Sequence, residues 1–598
     1  MEKEGYSTAN IYQGGYSSLS SDHGELFTGY RANSGSIGMA TVMNTANLLK
    51  EVTDKISSGA KVIEATMVSP EIMEAIPKQH LKEVKRLAEL TGVEVTVHGP
   101  VVETSGLNAE SGFSETNRKV SERRMYGAIE RSVEMNPKGL VPVTFHTTEG
   151  IPGTTYKKTE EGEVVPERLM IADKDTGQLM PLEQESRWEP GGEKIRKEIH
   201  SAEEQLGIVN NTKWSNGISA IEFNREHAVR ILKDIHPTLV ADLNHRMVSQ
   251  EGLKEVSPQE QDSLQKMFSA KEYLDQASLS ARALFDKAYK SANKNEKEYL
   301  EVLSKQYGKD LSLTKDGGQT EMSINPQVQS QAIFNLTSGL EKIRPELYEK
   351  AENFAIDKSS ETFSNLALQS YQQFKDKSPI ISIENPPASG FGLSSGDDLR
   401  NLIVKSREKF VEKSVKKGIL SESEARKKAE QIIGATWDVG HINQMRRFGF
   451  DAADVVKETE KIAPYLKHVH LSDNFGMENT ELPMGMGNVP LKEIMEKLGK
   501  KGKDAKKIIE AAHWWQHFQS SPMAESLEAV GSPMYSMQMG PYWNQKIGLQ
   551  QGYSEGAGMM LPTFNYETFG AGFSGLPAEL GGSRQGGGQS RMSGRPME

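Results

Sequence analysis

Residues 435–474 read ATWDVGHINQMRRFGFDAADVVKETEKIAPYLKHVHLSDN, and their order of residue types decides the kind of sheet. A short apolar run ends in Asp438 and His441, a helical pattern of about four turns follows, and a second short apolar run ends in His468 and His470. Strand, helix, strand is the repeating unit of a parallel sheet. In a closed parallel barrel the C-terminal strand ends share one face, so carboxylates and imidazoles far apart in sequence converge there. The same pattern should then recur along the chain.

Upstream, SIGMATV (36–42), KVIEATMV (61–68), VEVTVHGP ending at His98, and LVPVTFHTT ending at His146 read as strands one to four. Between them lie helical patterns, one with Leu48, Leu49 and Val52 on a single face and one closed by Gly92, which suits a left-handed C-cap. Pro142 removes a backbone donor from the fourth strand. After Gly150 the repeat breaks and resumes near Glu361, an interval too long for a loop. It holds a hairpin-like RLMIADKDTGQLMPL, a Trp-containing polar stretch and, from about Ile221, long helical patterns. DKDTG resembles the start of a calcium loop, but its twelfth position is Gln184, so that reading fails. Downstream come PIISIENPP with Glu384, a capping box at Ser421–Glu424, the opening stretch, and KKIIEAAHWW with Glu510. Eight strands result. The expected fold is α/β, a (β/α)8 TIM barrel with a large, mainly helical insertion after strand four and disordered termini. The expected division is 1–35 irregular, 36–150 first half-barrel, 151–360 insertion, 361–540 second half-barrel and 541–598 a Gly-rich low-complexity tail.

Composition narrows the function. The 598 residues contain no cysteine, so thiolate metal sites, disulfides and cysteine nucleophiles are excluded and any metal must be held by His, Asp and Glu. A net charge of -11 argues against a surface that coats nucleic acid, while leaving room for a local basic cleft. No apolar run reaches the roughly 18 to 20 residues of a membrane span, and the N-terminus lacks a secretion-signal pattern, so the expected address is cytoplasmic.

The strand ends supply His98, His146, Glu384, Asp438, His441, His470 and Glu510. Each alone is as well explained by a structural hydrogen bond or a helix cap. Seven at successive strand ends form a donor set suited to zinc, manganese or a related divalent ion. Arg446 and Arg447, just beyond His441, are candidates for binding substrate phosphate, with a solvated basic turn as the equal alternative. Trp437, Trp514 and Trp515 near the same mouth are either stacking surfaces or core.

VHGP, FHTTEG, SIENPP, WDVGH, HVHLSDN followed by GMGNVP, and IIEA together resemble the motif series of the xylose isomerase-like TIM-barrel superfamily, and particularly its endonuclease IV (AP endonuclease family 2) branch, over about 36–150 and 361–520. The resemblance implies one ion on His98, His146 and Glu384 and a second on Glu384, Asp438, His470 and Glu510, probed first as zinc with manganese as the other choice. It implies a third ion on the match to His441 and an Asp-x-His preceding Gly485-Met486-Gly487. Here that position reads Asn479-Thr480-Glu481, which leaves His441 and Glu481 as under-liganded remnants.

Two activities follow. The first is an endonuclease IV-like phosphodiesterase acting on abasic DNA or a related phosphoester, in which two ions activate water and clamp phosphate while Glu384 or Glu510 orients the nucleophile. The second is a sugar or sugar-phosphate isomerase or epimerase with one ion, in which Glu384 and Glu510 move a proton beside a carbonyl that His441 polarises. The partner is correspondingly DNA or a small phosphorylated or sugar molecule, and no membrane. The histidine pair His98 and His146, which the second leaves without a role, places the first ahead as the expected function; the acidic surface and the altered third site pull toward the second, the alternative.

Overall fold

Eight parallel strands close the barrel: β1 (Ile37–Ala40), β2 (Val62–Thr66), β3 (Glu94–His98), β4 (Pro142–His146), β5 (Ile380–Glu384), β6 (Ile433–Asp438), β7 (Leu466–Leu471) and β8 (Lys506–Ile509). Each pairs with its neighbours in sequence order and β8 returns to β1. The computed structural model describes residues 28–530 apart from 31, 33, 137, 190–195, 249–256, 313–324, 512–513 and 515–520. The expected Gly-rich tail and most of the irregular N-terminal segment therefore lie outside the described residues. No helix among the described residues is long and apolar enough to cross a membrane.

Local signals explain the elements. The helix Lys78–Thr91 ends at Gly92 with φ 71°, the left-handed cap expected there. Ser421 and Glu424 form the full capping box on Glu422–Ile432. Pro142 opens β4, the position in a strand where proline is tolerated. At Gly38 a side chain is impossible: a Cβ would sit 2.4 Å from the Val62 carbonyl oxygen, where β1 closes on β2.

Alternate residues of each strand enter the lumen, and here they are polar in two successive layers. In the lower layer Thr144, Ser382 and Thr436 are fully buried and joined by hydroxyl hydrogen bonds of 2.9 and 2.7 Å. One pleat higher on the same strands stand His146, Glu384 and Asp438. Apolar residues of opposite parity, such as Val143, Ile381, Ile383, Ala435 and Trp437, pack outward against the helices in one continuous core.

The chain leaves the barrel after His146 and returns through the helix Ala351–Phe374, whose Phe354, Phe363 and Leu366 belong to the barrel core. Barrel structure thus resumes before Glu361, where the apolar repeat first becomes visible. The expected hairpin is Val164–Asp173 with Leu179–Leu182, joined to Thr155–Lys158 and Tyr348–Lys350 in a four-stranded sheet. DKDTG is its turn, in which Asp173 Oδ1 accepts from the amides of Asp175 and Thr176. The Trp-containing stretch is a second hairpin, Glu185–Glu189 with Arg196–His200. Helix begins at Ala202 rather than near Ile221, because Ser201 and Glu204 form a capping box that the polar residues behind it obscure. Ala202–Lys233, Pro258–Ser291 and Pro326–Leu340 enclose a core of their own around Trp214, Leu274 and Ile333, separate from that of the barrel.

We propose that this helical part is an autonomous unit. Asp173 pairs with Tyr348, and the Lys174 amide donates to the Leu347 carbonyl, so the unit's two ends meet on adjacent strands. Replacing 175–346 by Gly-Gly, with Leu169→Thr and Ile171→Thr because those side chains lose their cover, should leave a barrel that unfolds in one cooperative transition by circular dichroism. A product without a cooperative transition would show that the segment belongs to the barrel's folding unit.

Candidate metal centre

Glu384, at the end of β5, is fully buried, and imidazoles from three other strands surround its carboxylate. Its Oε2 lies 3.2 Å from Nε2 of both His98 (β3) and His146 (β4), and its Oε1 lies 2.8 Å from Nδ1 of His470 (β7). Glu510, just past β8, approaches the same His470 nitrogen at 3.2 Å. Asp438 ends β6 and caps the short helix Val439–Asn443. Its Oδ1 accepts from the His441 amide at 2.7 Å and from Ser472 Oγ at 3.1 Å, whereas its buried Oδ2 has no hydrogen-bond partner. The six expected residues therefore meet, in two overlapping groups: His98, His146 and Glu384; and Glu384, Asp438, His470 and Glu510, the ligand atoms within each group lying within 4.8 Å of one another.

The ring orientations follow from what each second nitrogen touches. The Gly99 carbonyl at 2.9 Å can only accept, so His98 carries a proton on Nδ1 and turns Nε2 toward Glu384. His441 is tied likewise, Nδ1 donating to the Asn385 carbonyl at 2.9 Å. Asn385 itself bridges β5 and β6, donating to the Asp438 carbonyl and accepting from the Asp438 amide. Charge balance then sets the protons. Burial disfavours an imidazolium at His98, but Glu384, Glu510 and Glu64 outweigh it and push the ring up to about 9. His470 is raised well above its ordinary value by Glu384, Glu510 and Glu64, against burial. At His146 burial prevails and the pKa falls. Burial, reinforced by Glu510 and Glu384, raises Asp438 to about 7.

A second tier lies beneath. Glu64 of β2 is fully buried, with Oε1 3.0 Å from His470 Nε2 and Oε2 3.2 Å from His468 Nε2 and 3.1 Å from Thr96 Oγ1. Although burial alone would raise it, His470 and His468 hold its carboxyl far below the ordinary range. The sequence reading missed Glu64, Asn385 and the site-supporting role of His468. A signal existed for the first, since a carboxylate inside the apolar run KVIEATMV must be paired to be buried.

Other expected positions behave differently. Arg446 and Arg447 do not face the site: the Arg446 guanidinium donates to the Asn488 carbonyl at 3.3 Å, and that of Arg447 packs over Phe448. Both arginines lie within the 3-10 segment Gln444–Phe448. Trp437 is core, its indole donating to Thr459 Oγ1 at 3.0 Å, and Trp514 packs against the core. Trp515 lies outside the described residues. His441, Asn479 and Glu481 do come together, Asn479 Nδ2 standing 3.5 Å from His441 Nε2 and donating to Glu481 Oε1 at 3.1 Å.

The mouth opens into a cavity of about 310 Å³, lined by His98, His146, His441, Asn479, Glu481 and Glu510 together with Met39–Asn44, Thr66 and Val68. Lys55 is the one cationic aliphatic side chain in the described lining, and no arginine joins it. The donor set fits a divalent ion: it is carboxylate and imidazole, it converges, and Asp438 Oδ2 is a buried acceptor with nothing to accept from.

Residues 416–530, which carry Asp438, His441, His470 and Glu510, match the family model described as xylose isomerase-like TIM barrel. The uncharacterized protein MJ1311 of Methanocaldococcus jannaschii is 28% identical over 137 residues, 23% of this chain; the chain spans 42% of that relative's length. Among solved structures, a D-tagatose 3-epimerase-like protein superposes with a TM-score of 0.37 at 14% identity, covering 86% of this chain and 99% of its own. The D-psicose 3-epimerase of Clostridium cellulolyticum H10, solved with D-tagatose, gives 0.36 at 9% identity, covering 84% and 98%. Eight parallel strands closed in sequence order and a motif-bearing segment matched over 416–530 make this chain similar to the xylose isomerase-like TIM barrels.

Proposed function

We propose that the chain is a divalent-metal-dependent isomerase or epimerase acting on a small polyhydroxy carbonyl compound. One observation carries the choice: two carboxylates, the buried Glu384 and the part-buried Glu510, converge on His470 Nδ1, and Glu510 also lines a cavity of about 310 Å³, a size for a small molecule and not for a duplex. Neither Arg446 nor Arg447 is in the described lining, so neither stands where a phosphate clamp would be needed.

Glu384, Asp438, His470 and Glu510 would hold the ion. When bound, a divalent ion supplies Lewis-acid polarisation of a carbonyl and its neighbouring hydroxyl. The chain's own part is to move the proton. Glu384 and Glu510 are both lowered against burial by His470, so each is a carboxylate able to accept a proton from the carbon beside the carbonyl and return it. His441 is raised against burial by Asp438 and Glu384, and with Nδ1 held by the Asn385 carbonyl its Nε2 is the ring nitrogen left for a substrate oxygen. Glu64 fixes His470 from behind, leaving Nδ1 to face the site.

A second reading rests on a different observation, the two Nε2 atoms of His98 and His146 that share Glu384 Oε2 at 3.2 Å. A second ion there would support phosphoester hydrolysis of a small substrate. His146→Ala separates the two. The proposed isomerase keeps its four-ligand ion and its turnover within about threefold, whereas each acid–base group contributes roughly 10²- to 10⁴-fold, so Glu510→Gln should abolish it. Mn(II)-loaded protein and a panel of ketoses and aldoses, followed by chromatography of the isomers, measure both. Loss of an ion together with a phosphatase activity in His146→Ala would select the second reading.

Ion uptake should release protons. Imidazolium at His470 predominates at pH 7 because its pKa is raised well above the ordinary value, Asp438 is raised to about 7, and both must be unprotonated to act as ligands. Calorimetry in buffers of different ionisation enthalpy should find about one to two protons expelled, with affinity rising as pH rises through 7. Glu64→Gln should weaken the ion by roughly 10- to 100-fold, as for other partners of metal-bound histidines. An unchanged dissociation constant in Glu64→Gln would mean that His470 needs no such support.

A further inference from the structure

One wall of the cavity is built from the loop between β7 and the helix Leu491–Asp504, and this loop is held by paired backbone bonds and a buried carboxylate. Asp473 and Leu482 exchange both backbone hydrogen bonds, at 2.9 and 2.8 Å. The buried Asp473 carboxylate accepts from the amides of Asn474, Gly485 and Val489 at 2.9, 2.8 and 3.1 Å. Gly487 is required for that contact, since a Cβ there would lie 2.3 Å from Asp473 Oδ1. On this base Gln444 Nε2 donates to Asn479 Oδ1 at 3.1 Å, and Asn479 Nδ2 donates to Glu481 Oε1 at 3.1 Å. A carboxylate can only accept, so the relay fixes which way the Asn479 amide points.

Glu481 itself has φ 44°, in the left-handed region that a glutamate adopts at a cost of about 1 to 2 kcal/mol. The firm base holds it there, and Asn479 and Glu481 line the cavity. As a cation site this corner fails. The group beside His441 Nε2 is an amide nitrogen, which has no lone pair to give, and its acceptor oxygen is turned away toward Gln444.

We infer that Asn479 and Glu481 form a hydroxyl-recognition wall that selects a neutral polyhydroxy substrate over its phosphorylated counterpart. This rests on the isomerase or epimerase reading. A carboxylate accepts hydrogen bonds from sugar hydroxyls and repels a phosphate dianion, and in so small a cavity the two effects act on the same molecule. Lys55, the one lysine in the described lining, lies on the helix Leu48–Ser57 beside Glu51 and Asp54, whose charges act on it. No arginine supplies the planar clamp that a phosphate would use.

The test compares D-fructose and D-fructose 6-phosphate, as probes of the two classes, by calorimetry on the Mn(II)-loaded full chain, wild type and Glu481→Gln. Wild type should bind the neutral ketose at least about tenfold more tightly than the phosphate; Glu481→Gln should weaken the neutral ketose severalfold and strengthen the phosphate, closing the gap. Equal affinities in wild type, tighter binding of the phosphate, or neutral binding untouched by Glu481→Gln would overturn the wall while leaving the isomerase reading in place. Binding of neither sugar would overturn that reading and the wall with it. A parallel Mn(II) titration should give wild type and Glu481→Gln the same number of ions; loss of an ion in Glu481→Gln would show that Glu481 is a ligand and not a recognition group.

Discussion

A carboxylate with no solvent exposure at the centre of a barrel, Glu384, sets the terms for the residues around it. An isolated buried carboxylate is costly by several kcal/mol and survives only when partners replace its water. The partners come from β3, β4 and β7, strands that are not its neighbours in every case, so the charge is balanced only when the barrel is closed in the correct register. Slipping one strand by one residue would turn its imidazole outward and a Val or Phe inward. The site and the topology therefore specify each other.

The same reasoning descends one pleat. His470 faces acids on both sides, Glu384 and Glu510 above and Glu64 below, and it cannot rotate without breaking one of those contacts. Ser382, Thr144 and Thr436 fill the lower layer with hydroxyls that satisfy one another. Such a lumen gives up the hydrophobic stabilisation that Val, Ile and Leu would supply in a purely structural barrel. What it gains is a rigid support in which each ring's second nitrogen is already assigned, to the Gly99 carbonyl for His98, to the Asn385 carbonyl for His441 and to Glu64 for His470.

How much of this was legible in the sequence depended on the range of each signal. Strand ends marked by His98, His146, Glu384, Asp438 and His470 were visible because a polar residue closing a short apolar run is a local pattern. Glu64 was overlooked because it sits inside its run rather than at the end, and its imidazole partners lie on β7, hundreds of residues away. Arg446 and Arg447 were misplaced for the opposite reason. Proximity to His441 in sequence suggested proximity in space, but Arg446 donates to the Asn488 carbonyl and Arg447 packs over Phe448. In the insertion, the strands Glu185–Glu189 and Arg196–His200 escaped notice because they are polar, and hydrophobic periodicity says nothing about such pairs.

The loop after β7 shows how a site can change its chemistry without changing its scaffold. Asp473, Gly485 and Gly487 maintain the loop's path, and none of them reaches the cavity. The residues that do reach it, Asn479 and Glu481, are supported by that path and contribute little to it, apart from the left-handed backbone at Glu481 that the Asp473–Leu482 pairing holds in place. A scaffold fixed by backbone amides on one buried carboxylate leaves the side chains above it free to differ. An amide and a carboxylate in a hydrogen-bonded relay recognise hydroxyls. An anionic oxygen and an imidazole at the same two positions would complete a ligand set with His441. The chemistry of this corner is thus decided by two side chains, and in this chain both have the form that binds a substrate rather than an ion.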